Sequence, residues 1–237
     1  MINPFTIEEV RAFWDSVAKD YERFNEKVGY VHTQRYEKAM LYGDVRPGMR
    51  VLNVWSRMGS LIPYLRTVAG LELENREASP RMVAIAKERY PAESFGPTDL
   101  EDFSEFADAS FDRVISLETL EHVPKPQVFL SELRRILKPG GRLVLSLPPG
   151  GAEVPEFFYR LVFDDHGEGP HRFLWPREVK RLLRGAGLDL LEHHPFILLP
   201  LGSDRLVRGS ERILTGMFGK TPLGNFGVRH FYVATRD

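Results

Sequence analysis

The sequence predicts an α/β fold: a doubly wound, mainly parallel sheet of seven strands that closes with an antiparallel pair. Short apolar segments alternate with longer segments of helical periodicity from residue 50 onwards, which is typical of right-handed strand–helix–strand units. Phe111–Leu117 is apolar at most of its positions, as expected of a strand that is covered on both faces. Residues 188–199 and 228–235 enclose one amphipathic helix and are interpreted as the antiparallel pair.

Composition restricts the possible functions. The chain has 237 residues, 43% apolar and 27% charged, which suits a single globular domain over 1–237. The net charge of −1 argues against nucleic-acid binding, and the absence of cysteine excludes disulfides and thiolate metal sites. The start of the chain lacks the features of a secretory signal, and the longest apolar run, Phe196–Leu201, is too short to span a bilayer. We therefore expect a soluble cytoplasmic protein.

The first half of the chain supplies helices and three strands. Residues 6–42 are predicted to be helical because apolar residues recur at helical intervals and Thr6 and Glu9 have capping-box spacing. Residues 1–45 are interpreted as an N-terminal helical cover. The elements that follow are a strand at Arg50–Val54, a helix from Gly59 to about Val68, a strand at Leu71–Glu77, a helix at Arg81–Tyr90 opened by Pro80, and a strand at Ser94–Phe95.

The second half completes the sheet. Lys138–Gly141 is expected to end a helix, since it places a cation and then breakers after the apolar periodicity. Residues 148–220 begin with an unusually long Pro/Gly/His-rich connection and are interpreted as a lid or substrate-side insertion. The predicted elements are strands at Phe111–Leu117, Arg142–Leu147, Leu188–Leu199 and Val228–Thr235, and helices at Val128–Leu137, Pro176–Ala186 and 203–218.

The loops after the first four strands form the expected ligand site. In doubly wound sheets, ligands bind beyond the carboxyl ends of the strands, near the point where the strand order reverses. Glu77 ends the second strand about 20 residues beyond the first loop, which is the spacing of a nucleotide site. Its carboxylate could accept two hydrogen bonds from a ribose diol. The alternative is an exposed acid at a strand end.

Several segments together resemble one family. They are Phe13–Tyr21, Glu77–Met82, Ser110–Ser116, Leu120–Val123, Leu137–Leu143 and Gly169–Phe173. In order and spacing they resemble the class I S-adenosylmethionine-dependent methyltransferases, in the group that includes the ubiquinone- and menaquinone-biosynthesis enzymes. The resemblance implies a Rossmann-like methyltransferase fold and S-adenosylmethionine as the cofactor.

The resemblance also implies a set of cofactor contacts. Tyr21 would cover the cofactor, Glu77 would hold the ribose hydroxyls, and Asp99 would hold the adenine amino group, unless the acidic loop that contains Asp99 is simply solvated. The methionine side would lie at Ser56 and Gly59. The complete expected set is Tyr21, Asn53, Trp55, Ser56, Gly59, Glu77, Ala78, Asp99, Leu100 and Leu117.

The first loop departs from the family pattern. The pattern D-x-G-x-G-x-G falls on Asn53, Trp55, Arg57 and Gly59. Glycines in such a loop let the backbone approach the ligand and take dihedral angles that are closed to other residues. Trp55 adds a large ring, and Arg57 adds a cation near the expected place of a cationic sulfonium. Three outcomes are open: a shifted cofactor in cation–π contact with Trp55, an anionic ligand facing Arg57, or a filled pocket in a scaffold protein.

The candidate catalytic residues are His122, His171 and Glu118, with His166 as a further histidine in the long connection. Methyl transfer needs mainly alignment, and a general base is required only when the acceptor loses a proton. The alternatives are a His122 satisfied by the backbone at a helix start and a His171 that anchors a lid. No metal site is predicted, because the acids and histidines of 164–171 match no helical ligand spacing.

Two functions are consistent with the sequence. The first is an S-adenosylmethionine-dependent methyltransferase acting on a small or lipid-like molecule, with the aromatic segment 157–163 either covering the acceptor or forming a core helix. The second is a methyltransferase-like binding or partner protein, or an enzyme with another ligand in the same cleft. The arginines of the 203–218 helix suit peripheral membrane contact or a solvated face, and nothing in the sequence indicates the oligomeric state.

Overall fold

The computed structural model describes residues 2–23, 29–153, 167, 169–199 and 202–237. The strands in these ranges are β1 Arg50–Val54, β2 Glu72–Glu77, β3 Ser94–Pro97, β4 Phe111–Leu117, β5 Leu137–Leu147, β6 Asp189–Phe196 and β7 Arg229–Thr235. The helices are α1 Ile7–Val17, α2 Tyr30–Gly43, α3 Ile62–Leu65, α4 Pro80–Arg89, α5 Pro126–Ile136, α6 Pro176–Gly185 and α7 Asp204–Phe218. Single 3₁₀ turns lie at Leu120–His122, Gly150–Ala152 and Pro222–Phe226.

The strands form one seven-stranded sheet in the order β3-β2-β1-β4-β5-β7-β6. Neighbouring strands from β3 to β5 pair in parallel, whereas β7 pairs antiparallel with both β5 and β6. The predicted fold class is therefore confirmed, including the antiparallel closing pair. The strand order reverses between β1 and β4, so the carboxyl ends of these two strands mark the expected ligand site.

The central strands bury side chains on both faces of the sheet. Leu52 of β1 and Val114 of β4 belong to one core cluster, together with the inner faces of α5 and α6. Val51 and Ile115, their neighbours in sequence, belong to the opposite cluster with α2 and α3. This double coverage explains why these strands are mainly apolar instead of alternating with polar residues.

The N-terminal helical segment differs from the prediction. The capping box at Thr6 and Glu9 is present, but α1 ends at Val17 and α2 begins at Tyr30. Gly29 precedes α2 with a φ of +46°, which favours glycine. The Tyr30 N–H donates to Oδ1 of Asp204 at 3.1 Å. A single helix over 6–42 is therefore wrong, because a contact with α7 fixes the start of a second helix.

Two further boundaries differ. The helix after Gly59 is only the single turn Ile62–Leu65. β5 begins at Leu137, so Lys138–Gly141 lies within the strand instead of before it. A register shift accompanies this stretch, since Leu137 pairs with Phe111 and Arg142 pairs with Arg113. The glycines therefore mark an irregularity inside the strand.

Helix α7 packs through a face that its sequence did not indicate. Val207 and Glu211 are its buried residues, while Leu206 and Ile213 are more than half exposed. The Glu211 carboxylate accepts a hydrogen bond of 2.8 Å from Gln34 Nε2. A polar contact with α2 thus replaces part of the expected apolar contact. None of the described helices has the length and hydropathy needed to cross a membrane.

A histidine pair, the half-buried His193 and the buried His230, joins β6 to β7. His230 donates from Nε2 to the Gly224 carbonyl at 3.0 Å, so its Nδ1 accepts from Nε2 of His193, also at 3.0 Å. Burial, followed for His193 by the proximity of His230, lowers the pKa of His193 to about 3 and that of His230 to about 4. Both rings are therefore neutral in the folded protein at neutral pH.

We expect this pair to make the protein less stable as the pH falls from about 6.5 towards 4. In that interval the unfolded histidines take up protons and the folded ones do not, so the buried His230 lowers the free energy of unfolding by up to about 1.4 kcal/mol per pH unit, and the half-buried His193 by less. Urea denaturation at several pH values measures this slope. His230→Gln should have a smaller slope than the wild type between pH 6.5 and 5. Equal slopes for the wild type and His230→Gln would contradict the assignment of His230 as neutral in the folded protein.

Candidate cofactor site

The loop after β1 keeps a glycine-type backbone without the glycines. Trp55, Arg57 and Gly59 have φ angles of +61°, +52° and +83°, and these are the three positions at which the family pattern has glycine. For tryptophan and arginine this conformation costs about 1–2 kcal/mol each. The backbone geometry of the loop is therefore preserved, while two of its residues carry side chains where a ligand would otherwise approach.

Glu77, at the end of β2, is fully buried beside this loop. One carboxylate oxygen accepts the Arg57 N–H at 2.8 Å, and the other accepts the Ser79 N–H at 2.9 Å. Burial raises the pKa of Glu77, and Arg57 and these backbone N–H groups oppose the rise. In this structure the carboxylate therefore holds the chain's own loop in place and faces no solvent.

The guanidinium of Arg57 lies among aromatic rings. Its Cζ is 3.6 Å from the centre of the Trp14 ring, 4.5 Å from that of Trp55 and 5.5 Å from that of Tyr21. Arg57 is itself buried, and burial lowers the pKa of its guanidinium. Cation–π attraction strengthens when the cation is desolvated. The three rings and the guanidinium fill the space over the loop.

Helix α1 carries Trp14 and is fixed to the loop after β2. Asp15 accepts a hydrogen bond from Ser79 Oγ and one of 3.1 Å from the Arg81 N–H. Arg11 Nε donates to the Ala78 carbonyl at 3.1 Å. The sequence did not indicate the anchoring role of these residues, although Asp15 lies within the family-like segment Phe13–Tyr21. These hydrogen bonds hold α1 in place over the loop after β1.

His122 and His171 meet at the same place. The His122 ring stacks on Trp55 with 5.7 Å between ring centres and an interplanar angle of 4°, and lies 6.1 Å from the His171 ring. His122 Nδ1 donates to the Pro170 carbonyl at 2.8 Å. Burial, and then the nearby Arg57 charge, lowers the pKa of His122 to about 3. The ring is therefore neutral.

Glu118 belongs to a different set of contacts. Although it follows β4 directly, its carboxylate accepts hydrogen bonds from Ser146 Oγ at 2.6 Å and Arg229 Nε at 2.8 Å. Burial raises the pKa of Glu118, but Arg229 and Arg35 outweigh this effect and hold the pKa below its ordinary value. The structure thus separates Glu118 from the histidines and pairs it with arginine.

The other expected contact residues are distributed around the loop. Asp99 is exposed, and its Oδ1 accepts the N–H groups of Glu101 and Asp102 at 2.9 and 2.8 Å. Asn53 is buried and donates to Asn75 Oδ1 at 3.0 Å, and Tyr21 OH accepts from Arg35 at 3.0 Å. Ser56, Gly59, Ala78, Leu100 and Leu117 are buried near the strand ends.

No metal-binding group of three or more acidic or histidine side chains is found among the described residues. Several residues singled out in the sequence, namely His166, its neighbouring acids at 164, 165 and 168, and the aromatic segment 157–163, lie outside the described residues. The expectation that they form a lid or an acceptor pocket stays a prediction.

S-adenosylmethionine does not fit this arrangement of side chains. The carboxylate expected to hold its ribose is fully buried and bonded to backbone N–H groups, and the Arg57 guanidinium occupies the aromatic surroundings where a second cation would be repelled. The sequence left three outcomes open: a shifted cofactor, an anionic ligand or a filled pocket. The side chains of the described loop match the filled pocket.

Known proteins resemble this chain in sequence. Residues 56–145 match the family described as Methyltransferase domain. The demethylmenaquinone methyltransferase of Renibacterium salmoninarum is 36% identical over 142 residues, which are 59% of this chain and 58% of that protein. The demethylmenaquinone methyltransferase of Tropheryma whipplei strain Twist is 32% identical over 178 residues, 73% of this chain and 69% of that protein. For several such relatives, the chain thus spans less than two thirds of the relative's length.

The fold resembles solved structures over nearly its whole length. A methyltransferase from Thermotoga maritima, described as a possible histamine N-methyltransferase, has a TM-score of 0.71 and 18% identity. The match covers 95% of this chain and 99% of that one. At this level of identity the likeness concerns the fold alone.

Proposed function

This chain belongs to the class I S-adenosylmethionine-dependent methyltransferases, in the ubiquinone and menaquinone group, and from this membership we propose that it methylates a small or lipid-like molecule. The observation that carries the proposal is the loop after β1. Its backbone has positive φ at each of the three family glycine positions, although two of them hold tryptophan and arginine. Backbone strain is often found at functional sites, so positive φ angles at Trp55 and Arg57 support the view that this loop has a binding function.

We propose S-adenosylmethionine as the methyl donor and the cleft between α1 and the ends of β1 and β2 as its site. The proposed contacts are those expected from the sequence, with Glu77 at the ribose and Asp99 at the adenine. Because Trp55 and Arg57 fill the cleft, binding would require both side chains and α1 to move. Residues 1–45 would then act as a movable cover, with 148–220 on the substrate side.

The acceptor is proposed to be an apolar, quinone-like aromatic molecule. The relatives at 36% and 32% identity are demethylmenaquinone methyltransferases. The rings of Trp55 and His122 stack and the His171 ring lies beside His122, so these rings would offer flat faces to an aromatic acceptor once the cleft opens. His122 and His171 are proposed to position the acceptor. With a pKa of about 3, His122 in this closed arrangement would be a weak base at neutral pH. A cytoplasmic location stays a prediction from the sequence.

A second function is favoured by one observation, the buried guanidinium of Arg57. A protein that fills its own cofactor site with a side chain could bind a partner or another ligand and transfer no methyl group. This alternative differs from the first in a measurable way. It predicts that the protein shows no saturable binding of S-adenosylmethionine or S-adenosylhomocysteine at the concentrations at which methyltransferases bind them.

Calorimetric titration with S-adenosylhomocysteine tests the proposed function. We expect saturable binding by the wild type, weakened about tenfold or more in Asp99→Ala, which would lose a hydrogen bond worth about 1.5–3 kcal/mol to the adenine. Glu101→Ala is the matched control, since it removes a neighbouring carboxylate of the same loop. Transfer of a labelled methyl group to reduced demethylmenaquinone then tests the acceptor class. Absence of any binding would favour the second function.

A further inference from the structure

Arg57 is an unusual occupant of a protein interior. Among the residues that the structure describes, no carboxylate lies within ion-pairing distance of its guanidinium, and Nη1 has no hydrogen-bond partner. The partners of the charge are instead the faces of Trp14, Trp55 and Tyr21. Burying a charge without an ion pair is unfavourable. The guanidinium is therefore held mainly by the ring faces and by the closure of α1.

The rings around Arg57 have the arrangement of an aromatic cage. Trp14 stands edge-on to both Trp55 and Tyr21, with interplanar angles of 88° and 79° and ring centres 6.2 and 5.9 Å apart. Rings at such angles present faces to one point from several directions. Cages of this kind recognise organic cations such as quaternary ammonium groups, because each face carries negative potential.

We propose that Trp14, Tyr21 and Trp55 form a binding site for a small organic cation, a sulfonium or quaternary ammonium group, and that Arg57 closes this site as an internal substitute for the ligand. Ligand and guanidinium then exclude each other by charge and by volume. Arg57 also has a φ of +52°, so replacing it by glycine, which has no Cβ, relieves backbone strain. The proposal concerns the cleft of the proposed function but does not require methyl transfer.

The position of helix α1 determines whether the aromatic cage is closed. It contributes Trp14, and it is fixed by Asp15 to Ser79 and by Arg11 to the Ala78 carbonyl. Both contacts are only partly buried. Movement of α1 would remove one ring from Arg57 and open the route to solvent, so a ligand would enter by the same displacement that frees the guanidinium.

The test is titration of trimethylsulfonium into Arg57→Gly, followed by calorimetry and by the thermal unfolding midpoint. Glycine suits the positive φ, so this variant keeps the backbone of the loop. We expect a Kd at least about tenfold lower than that of the wild type and a midpoint that rises with ligand concentration. Arg57→Gln, which keeps the stem of the side chain without its charge, is the second variant if the first folds poorly.

A matched control is Arg208→Gly. Arg208 also lies over an aromatic ring, 3.8 Å from the centre of Tyr30, but it is exposed, has one ring instead of three and pairs with Glu37. This variant should bind trimethylsulfonium no better than the wild type. Adding Trp55→Leu to Arg57→Gly should abolish the gain, because it removes one wall of the cage.

Several results would overturn the proposal. The first is equal affinity of the wild type and Arg57→Gly for trimethylsulfonium. The second is that Arg57→Gly binds the neutral molecule tert-butanol as tightly as it binds trimethylsulfonium. The third is stabilisation of the wild type by acetate or sulfate that Arg57→Gly loses, which would make Arg57 an anion ligand.

The proposed function can fail independently of this proposal. If Arg57→Gly binds trimethylsulfonium but neither protein binds S-adenosylhomocysteine, the cage stands and the transferase does not. If both proteins bind S-adenosylhomocysteine equally well, the transferase stands and the closure by Arg57 is wrong.

Discussion

Replacing Glu77 by alanine is expected to lower the free energy of unfolding by about 2–6 kcal/mol, because two buried hydrogen-bond donors lose their acceptor at about 1–3 kcal/mol each. The substitution leaves two buried N–H groups, those of Arg57 and Ser79, without their acceptor. It also removes the carboxylate whose charge favours the protonated form of Arg57. Urea denaturation of wild type and variant measures the difference.

Two further variants make this result specific. Glu72→Ala changes an exposed carboxylate at the other end of the same strand and should shift stability by no more than about 0.5 kcal/mol. Combining Glu77→Ala with Arg57→Gly should be less damaging than the sum of the single changes, because the uncompensated guanidinium is then absent. A loss below about 1 kcal/mol for Glu77→Ala would indicate that this carboxylate is hydrated and the cleft open.

Gly59→Ala is expected to cost about 2–4 kcal/mol, through two separable effects. The φ of +83° is unfavourable for alanine. In addition, a Cβ at this position would lie 2.8 Å from two carbons of the Tyr90 ring and 3.1 Å from Ile62 Cδ1, so packing must shift. Denaturation with urea again gives the total.

The chain offers a control that separates backbone strain from steric overlap. Gly48 has a φ of +79°, and a Cβ there would meet no atom within 4 Å. Gly48→Ala should therefore show only the backbone part, about 1 kcal/mol. Adding Tyr90→Ala to Gly59→Ala should reduce the steric part of the loss. Equal losses for the two glycine variants would mean that Tyr90 does not restrict this position.

The order of the elements could be predicted because its signals are local. Ser79 and Pro80 begin α4 as expected, and the Ser79 hydroxyl accepts the Met82 N–H. β1 and β4 have the predicted bounds, Arg50–Val54 and Phe111–Leu117. Such signals depend on neighbours within a few residues, so they can be recognised without the fold. The long N-terminal helix failed because Gly29 and Asp204, far apart in sequence, determine where α2 begins.

The sequence by itself determined the sheet, the family-like motifs and the fact that Trp55 and Arg57 stand where glycines are expected. It left open whether those side chains point into the cleft, because direction depends on residues about 40 positions away. Only the tertiary structure brought Trp14 of α1 onto the Arg57 guanidinium and paired Glu118 with Arg229. Secondary structure follows from local dihedral preferences and periodic burial, which can be read from neighbouring residues. The partner of a buried charge depends instead on which groups the completed fold places beside it.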